Sequence, residues 1–114
     1  MLLVQKFGGT SVADADAIRR LVAIVQHGRG TPARGPAVVV SAMSGVTDGL
    51  LAVAADAAAA RLKPALAGLA KVRARHAEAI SALLTGARAA ETAAFVALHL
   101  DQLESVVQGL ALLR

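Results

Sequence analysis

The sequence predicts an α/β fold, and three features of its first half lead to that prediction. A short apolar run at 2–5 and a second run at 37–41, with three consecutive valines, are each typical of a buried strand. The segment between them repeats apolar residues at helical spacing, so the order is strand, helix, strand. Such a unit calls for parallel strands and a right-handed crossover. Each strand is also followed by a corner rich in glycine and hydroxyl side chains.

The first helix is predicted from apolar residues that fall on one face. These are Ile18, Leu21, Val22 and Val25. Ser11, with Asp14 three residues later, resembles a helix-opening box, and Gly28 and Gly30 are expected to end the helix. A loop rich in glycine and proline at 29–36 then leads into the second strand.

The second half of the chain is predicted to be helical. A helix carrying Leu50, Leu51, Ala54 and Ala58 is expected to end at Lys63-Pro64, and Pro64 suits the first turn of a third helix that Gly86 ends. The predicted inner face of the third helix is Leu66, Leu69, Val72, His76, Ile80, Leu83 and Leu84. The fourth helix carries Leu103, Val106, Val107, Leu110 and Leu113. The last two helices are expected to form an antiparallel hairpin.

Composition excludes several classes of protein. The 114 residues allow one small domain, and the absence of cysteine excludes disulfides, thiolate metal sites and cysteine nucleophiles. No apolar segment reaches the roughly 20 residues of a membrane span, so no membrane partner is predicted. The net charge of +4 suggests nucleic acid, but basic residues are scattered and aromatics make up 2%. We therefore predict no nucleic-acid partner and interpret the basic run at 71–76 as a solvated helix face.

The two corners, 6–11 and 41–47, predict an anion site. In an open parallel sheet, ligands bind at the carboxyl ends of the strands, and both corners lie there. Gly8 and Gly9 allow the backbone to approach a ligand, Lys6 adds a cation, and the helix start adds its positive dipole end. Phosphate is the obvious anion, although the spacing fits neither a Walker loop nor a dinucleotide motif. The alternative is a tight turn with a solvated lysine.

These residues resemble those of a known family. The stretch "KFGGTSV", Lys6 to Val12, is similar to the opening signature of aspartokinases, and "VVVSAMSGVTDGLL" resembles the segment after their second strand. The stretches "RARHAEAI" and "LESVVQGLALLR" resemble the helical insert of the lysine-sensitive monofunctional and the bifunctional types. The resemblance implies a three-layer αβα amino acid kinase (carbamate kinase-like) fold. Residues 1–114 would be its N-terminal part, with a βαβα core at 1–62 and a helical hairpin at 63–114.

The resemblance also implies a reaction. Aspartokinases use ATP with Mg²⁺ to phosphorylate the β-carboxylate of L-aspartate, which begins lysine, threonine and methionine biosynthesis in the cytoplasm. Lys6 would be the catalytic residue that bridges the phosphates. The ATP-binding set implied is Lys6, Phe7, Gly8, Gly9, Thr10 and Ser11. Ser41 and Thr47 would contact aspartate, and no residue would hold a metal by itself.

The chain stops within an apolar pattern and before the S-x-G-E stretch of the family, so we expect a fragment that does not phosphorylate aspartate alone. The full-length parent is expected to be a homo-oligomer. Alternatives are a related kinase for another acid such as glutamate, a non-catalytic helical interaction module, or a nucleic-acid binder. The Thr10-Ser11 pair and the T-D-x-L corner argue against the first. For single residues, Ser11 could instead cap the helix and Ser41 could bond its own backbone.

Overall fold

The computed structural model describes residues 3–28 and 35–113. The predictions for Leu2, for Gly30 and for most of the loop at 29–36 therefore lie outside the described residues. Internal contacts divide the chain into two units, Met1–Ser44 and Gly45–Arg114, and each is described by itself below. The predicted division into a core at 1–62 and an insert at 63–114 stays a prediction.

The first unit contains the predicted strand–helix–strand order. Strand β1 is Val4–Phe7, a 3-10 helix follows at Gly9–Val12, helix α1 is Ala15–His27, and strand β2 is Ala37–Val40. The strands pair in parallel, as predicted, with Lys6 beside Val39. The first strand is displaced from its predicted position at 2–5, because pairing with the valine strand draws Lys6 and Phe7 into the ladder.

One face of this small sheet lies against α1. Val38 lines a cavity of about 230 Å³ together with apolar residues of α1. The opposite face is open, since Val4 is 59% exposed and Val39 is 48% exposed. Val22 lines this cavity too, on the predicted inner face of α1, although it is 43% exposed. Ala17 is the residue of α1 that is buried. The described part of the chain is mostly helical with a two-stranded parallel sheet, and the three-layer arrangement is not confirmed.

The start of α1 differs from the prediction. Asp14, not Ser11, is the N-cap, and its carboxylate accepts a hydrogen bond from the Ala17 amide at 2.9 Å. Ser11 instead belongs to the 3-10 helix, where its amide donates to the carbonyl of Gly8. Gly28 ends α1 as predicted, since its amide donates to the carbonyl of Ile24. Asp14 is thus an N-cap residue, the position for which aspartate is among the preferred residues.

The second unit is formed by three helices: α2 is Val46–Ala58, α3 is Leu62–Leu83 and α4 is Gly86–Leu112. Helix α2 ends before the predicted Lys63-Pro64 break, because Ala60 adopts a positive φ of 57°. Pro64 lies in the first turn of α3, as predicted. Gly86 begins α4 and does not end α3, so that prediction is wrong: the extended backbone of Leu84 and Thr85 ends α3 first.

Helices α3 and α4 form the predicted antiparallel hairpin. Across it, the Arg73 guanidinium makes ion pairs with Asp101 at 2.9 Å and with Glu104 at 3.3 Å. The basic run at 71–76 is therefore not simply a solvated face, because Arg73 points at the neighbouring helix. The seven predicted inner positions of α3 are all buried or half-buried. Ala65, which the prediction missed, is fully buried.

Helices α2 and α3 pack closely at Gly68. A Cβ atom at this position would lie 2.9 Å from Cγ2 of Val53, a stiff side chain that is itself 2% exposed. None of the helices in 3–28 and 35–113 is long and apolar enough to cross a membrane.

We expect Gly68→Ala to lower the free energy of unfolding by about 1–2 kcal/mol, because overpacking outweighs the gain of up to about 1 kcal/mol in helix propensity. Gly49→Ala is the matched control on α2, where the new Cβ would meet Val72 at an ordinary 3.6 Å. In the control, the free energy of unfolding is expected to rise by about 0.5–1 kcal/mol. Urea denaturation measures both, and a stabilised Gly68→Ala protein would contradict the close contact.

Candidate functional site

The first predicted corner, 6–11, and the part of the second that belongs to the first unit, 41–44, lie at one edge of the sheet. Because β1 and β2 are parallel and in register, Phe7 and Val40 end their strands side by side. The ladder continues one step further, since the Ser41 amide donates to the carbonyl of Phe7 at 3.2 Å. The carboxyl ends of both strands therefore open onto the same edge, the place where open parallel sheets bind ligands.

The first corner turns from β1 directly into the 3-10 helix. Gly8 is its N-cap, with extended backbone and no side-chain cap. Thr10 and Ser11 are exposed, whereas Val12 is 4% exposed and anchors the turn. The corner therefore presents two hydroxyl groups and the start of a short helical turn to solvent.

The protein chain itself gives no reason for glycine at positions 8 and 9. A Cβ atom at either position would meet nothing within 4 Å, and neither residue has a positive φ. Two other glycines do have an internal explanation, which is the crowding at Gly68 and the φ of 82° at Gly45. Open space above two adjacent glycines leaves room for a ligand to reach the backbone.

Lys6 lies on β1, one residue before its end, and its side chain is exposed. Within residues 3–28 and 35–113 it makes no ion pair and no hydrogen bond through its side chain. An ammonium group without a carboxylate partner, two residues from the glycines, is available to neutralise an incoming anion.

Two serines define the second corner. The Ser41 hydroxyl donates to the carbonyl of Ala42 at 3.1 Å, which is the backbone bond that the sequence left open as the alternative. The Ser44 hydroxyl donates to the carbonyl of Gly9 at 3.4 Å and so links the second corner to the first. Sequence reasoning did not single out Ser44. The only indication in the sequence was that "SAMSGVT" contains a hydroxyl residue besides Ser41 and Thr47.

Thr47, the other predicted substrate residue, belongs to the second unit. It is exposed in the first turn of α2, directly after Gly45 and Val46. Its contact with aspartate stays a prediction, as do those of Lys6 to Ser11 with ATP and of Ser41 with aspartate.

The exposed groups at this edge of the first unit are suited to binding an anion. Among the residues described, no group of three or more histidine, aspartate or glutamate side chains could hold a metal ion. The edge offers a cation, hydroxyls and exposed backbone, which are partners for phosphate oxygens.

Comparison with known proteins agrees with the motifs. The chain is similar to aspartokinases of Rickettsia conorii (48% identity over 50 residues), Thermus thermophilus (49% over 53) and Chlamydia trachomatis (54% over 48). The matched segments cover 44%, 46% and 42% of this chain but only 12%, 13% and 10% of those relatives. The sequence profile of the amino acid kinase family matches residues 1–109, nearly the whole chain. The chain belongs to the amino acid kinase family.

Proposed function

We propose that this chain provides the phosphate-binding edge of an aspartate kinase, which transfers the γ-phosphoryl group of ATP to the β-carboxylate of L-aspartate. One observation carries the proposal: the glycine corner after Lys6 and the serine corner after Val40 open at the same edge of the sheet. The similarity to aspartokinases of three organisms supports aspartate as the acceptor. The product is 4-phospho-L-aspartate, and its use in lysine, threonine and methionine biosynthesis in the cytoplasm is part of the proposal.

In this reaction a β-carboxylate oxygen attacks the γ-phosphorus, the bond to the β,γ-bridging oxygen breaks, and ADP leaves with that electron pair. The carboxylate is already ionised at neutral pH, so no general base is needed. The barrier comes from bringing two anions together, and catalysis consists of positioning and charge neutralisation.

The residues at the edge fit these requirements. The Lys6 ammonium would neutralise charge on the transferring phosphoryl group, and it is exposed and without an ion pair among the described residues. Backbone amides of Gly8 and Gly9 would donate to phosphate oxygens, with Phe7 before them and the hydroxyls of Thr10 and Ser11 beside them. Ser41 and Thr47 would bind aspartate, for which the Ser41 hydroxyl must exchange its bond to Ala42 for one to substrate.

The test is a titration of the 114-residue chain with ATP and Mg²⁺, in which amide NMR monitors binding. We expect the signals of Gly8, Gly9 and Thr10 to shift with ATP. Lys6→Ala should weaken binding about 10-fold, the value of one charge-assisted hydrogen bond at an exposed site. Lys63→Ala is the matched control, since Lys63 is also an exposed lysine, at the start of α3.

Equal affinity of the Lys6→Ala and Lys63→Ala proteins would contradict the assignment. Absence of any ATP-dependent shift at the glycine corner would favour the non-catalytic interaction module instead. To test the acceptor, L-aspartate and L-glutamate are titrated against the ATP-loaded chain. A response of the Ser41 amide to glutamate but not to aspartate would overturn the choice of substrate.

A further inference from the structure

The hydrogen bond from the Ser44 hydroxyl to the carbonyl of Gly9, at 3.4 Å, joins two segments that lie 35 positions apart. Within residues 3–28 and 35–113, no other side-chain hydrogen bond connects the glycine corner, 6–11, with the serine corner, 41–44. Ser44 is exposed, and a long hydrogen bond in contact with solvent contributes little to stability. Its effect on the candidate site therefore matters more than its effect on the fold.

The bond fixes the direction of one backbone amide. The Gly9 carbonyl and the Thr10 N–H belong to the same planar trans peptide, in which the two groups point in opposite directions. Because Ser44 holds the carbonyl, the Thr10 N–H points away from Ser44. The preceding peptide is held as well, since the Gly8 carbonyl accepts from the Ser11 amide at 2.9 Å. The amides of Gly9 and Thr10 open the 3-10 turn and have no acceptor within it, so both are available to a ligand.

The glycine end of this turn has few other restraints. Gly8 is the N-cap and makes no side-chain cap bond, and a Cβ atom at position 8 or 9 would meet nothing within 4 Å. Packing therefore does not hold the two glycines, whose backbone is the freest of any residue type. Val12 is buried but anchors only the far end of the turn. Without the Ser44 bond, the peptide between Gly9 and Thr10 is free to rotate.

We propose that Ser44 is a positioning residue for the phosphoryl transfer: it holds the Gly9 carbonyl so that the Thr10 amide is directed at a phosphate oxygen of ATP. This inference rests on the proposed function and adds to it a residue that does not touch the substrate. A phosphate oxygen that accepts from the Thr10 N–H polarises the peptide and makes the Gly9 carbonyl a stronger acceptor for Ser44. The Ser44–Gly9 bond is therefore stronger in the ATP complex, and it reduces the entropy cost of ordering the glycine corner.

Calorimetric titration of the 114-residue chain with ATP and Mg²⁺ tests the proposal. Ser44→Ala should weaken ATP binding about 5-fold, the value of one neutral hydrogen bond, and leave the midpoint of urea denaturation unchanged. Ser44→Thr keeps the hydroxyl and should bind ATP within about 2-fold of the unchanged chain. Ser105→Ala is the matched control, because the exposed Ser105 hydroxyl also donates to a backbone carbonyl, that of Asp101 at 3.2 Å. It should bind ATP like the unchanged chain.

Amide ¹⁵N relaxation without ATP tests the restraint itself. The order parameter of the Thr10 amide should fall in Ser44→Ala from about 0.85, typical of rigid backbone, to below about 0.6, and Ser44→Thr should restore it. Equal ATP affinity of Ser44→Ala and Ser105→Ala overturns the positioning role, and so does a Ser44→Thr protein that binds no better than Ser44→Ala. If Lys6→Ala still weakens binding in that case, the proposed function stands without Ser44. If the unchanged chain binds no ATP, the proposed function fails and this inference fails with it.

Discussion

Leu69→Ala is expected to lower the free energy of unfolding of the helical unit by about 2–5 kcal/mol. Leu69 is 1% exposed and, with Val53, is one of the largest fully buried side chains among the described residues. Other fully buried positions of this unit are alanine, such as Ala57 and Ala65, whose short side chains cannot expand into the space that the truncation leaves. The lost stability therefore includes both the transfer free energy of the removed side-chain atoms and the cost of the cavity that they leave. Urea denaturation followed by circular dichroism measures it.

Leu51→Ala supplies the control, since it removes the same atoms from a position that is 64% exposed. We expect its free energy of unfolding to change by no more than about 0.5 kcal/mol, as for ordinary surface substitutions. The pair also tests the orientation of α2, because Leu51 belongs to the apolar repeat from which that helix was predicted. If Leu51→Ala proves as costly as Leu69→Ala, the described orientation of α2 is wrong.

The helices show what a sequence pattern can decide. The inner face of α3 was predictable because large apolar residues such as Leu69 and Val72 alternate there with charged ones. Helix α2 is almost uniformly apolar, so its period was ambiguous, and Val46 and Val53 were missed. Its buried face is chosen by close packing at Gly68, which is a tertiary effect that no local pattern contains.

The candidate site was predictable for a different reason. Parallel pairing alone places the ends of β1 and β2 together, so the neighbourhood of Lys6 and Ser41 followed from identifying the strands. The bond from Ser44 to Gly9 did not, because an exposed loop hydroxyl has no periodicity to reveal its partner. The open valines of β2 were also unexpected. A parallel sheet is ordinarily covered on both faces, whereas Val39 is exposed on the open face and Val38 is still 40% exposed on the face toward α1.

Gly8→Val separates the fold from the proposed function. The extended backbone at Gly8, with φ −89° and ψ −174°, suits a β-branched residue, and nothing lies within 4 Å of the new Cβ. The free energy of unfolding should therefore change by less than about 1 kcal/mol. ATP binding should weaken at least about 100-fold, because the valine side chain fills the space through which phosphate reaches the amides, and two charge-assisted hydrogen bonds are lost.

The matched control is Gly35→Val, the same change in the same unit. Gly35 also has open space around its Cβ position and no positive φ, but it precedes β2, at the opposite end of the strand from the candidate site. We expect this variant to bind ATP like the unchanged chain, as measured by amide NMR and calorimetry. If Gly8→Val binds ATP as well as Gly35→Val does, phosphate does not approach the backbone there. The open space above the two glycines would then have no part in the reaction.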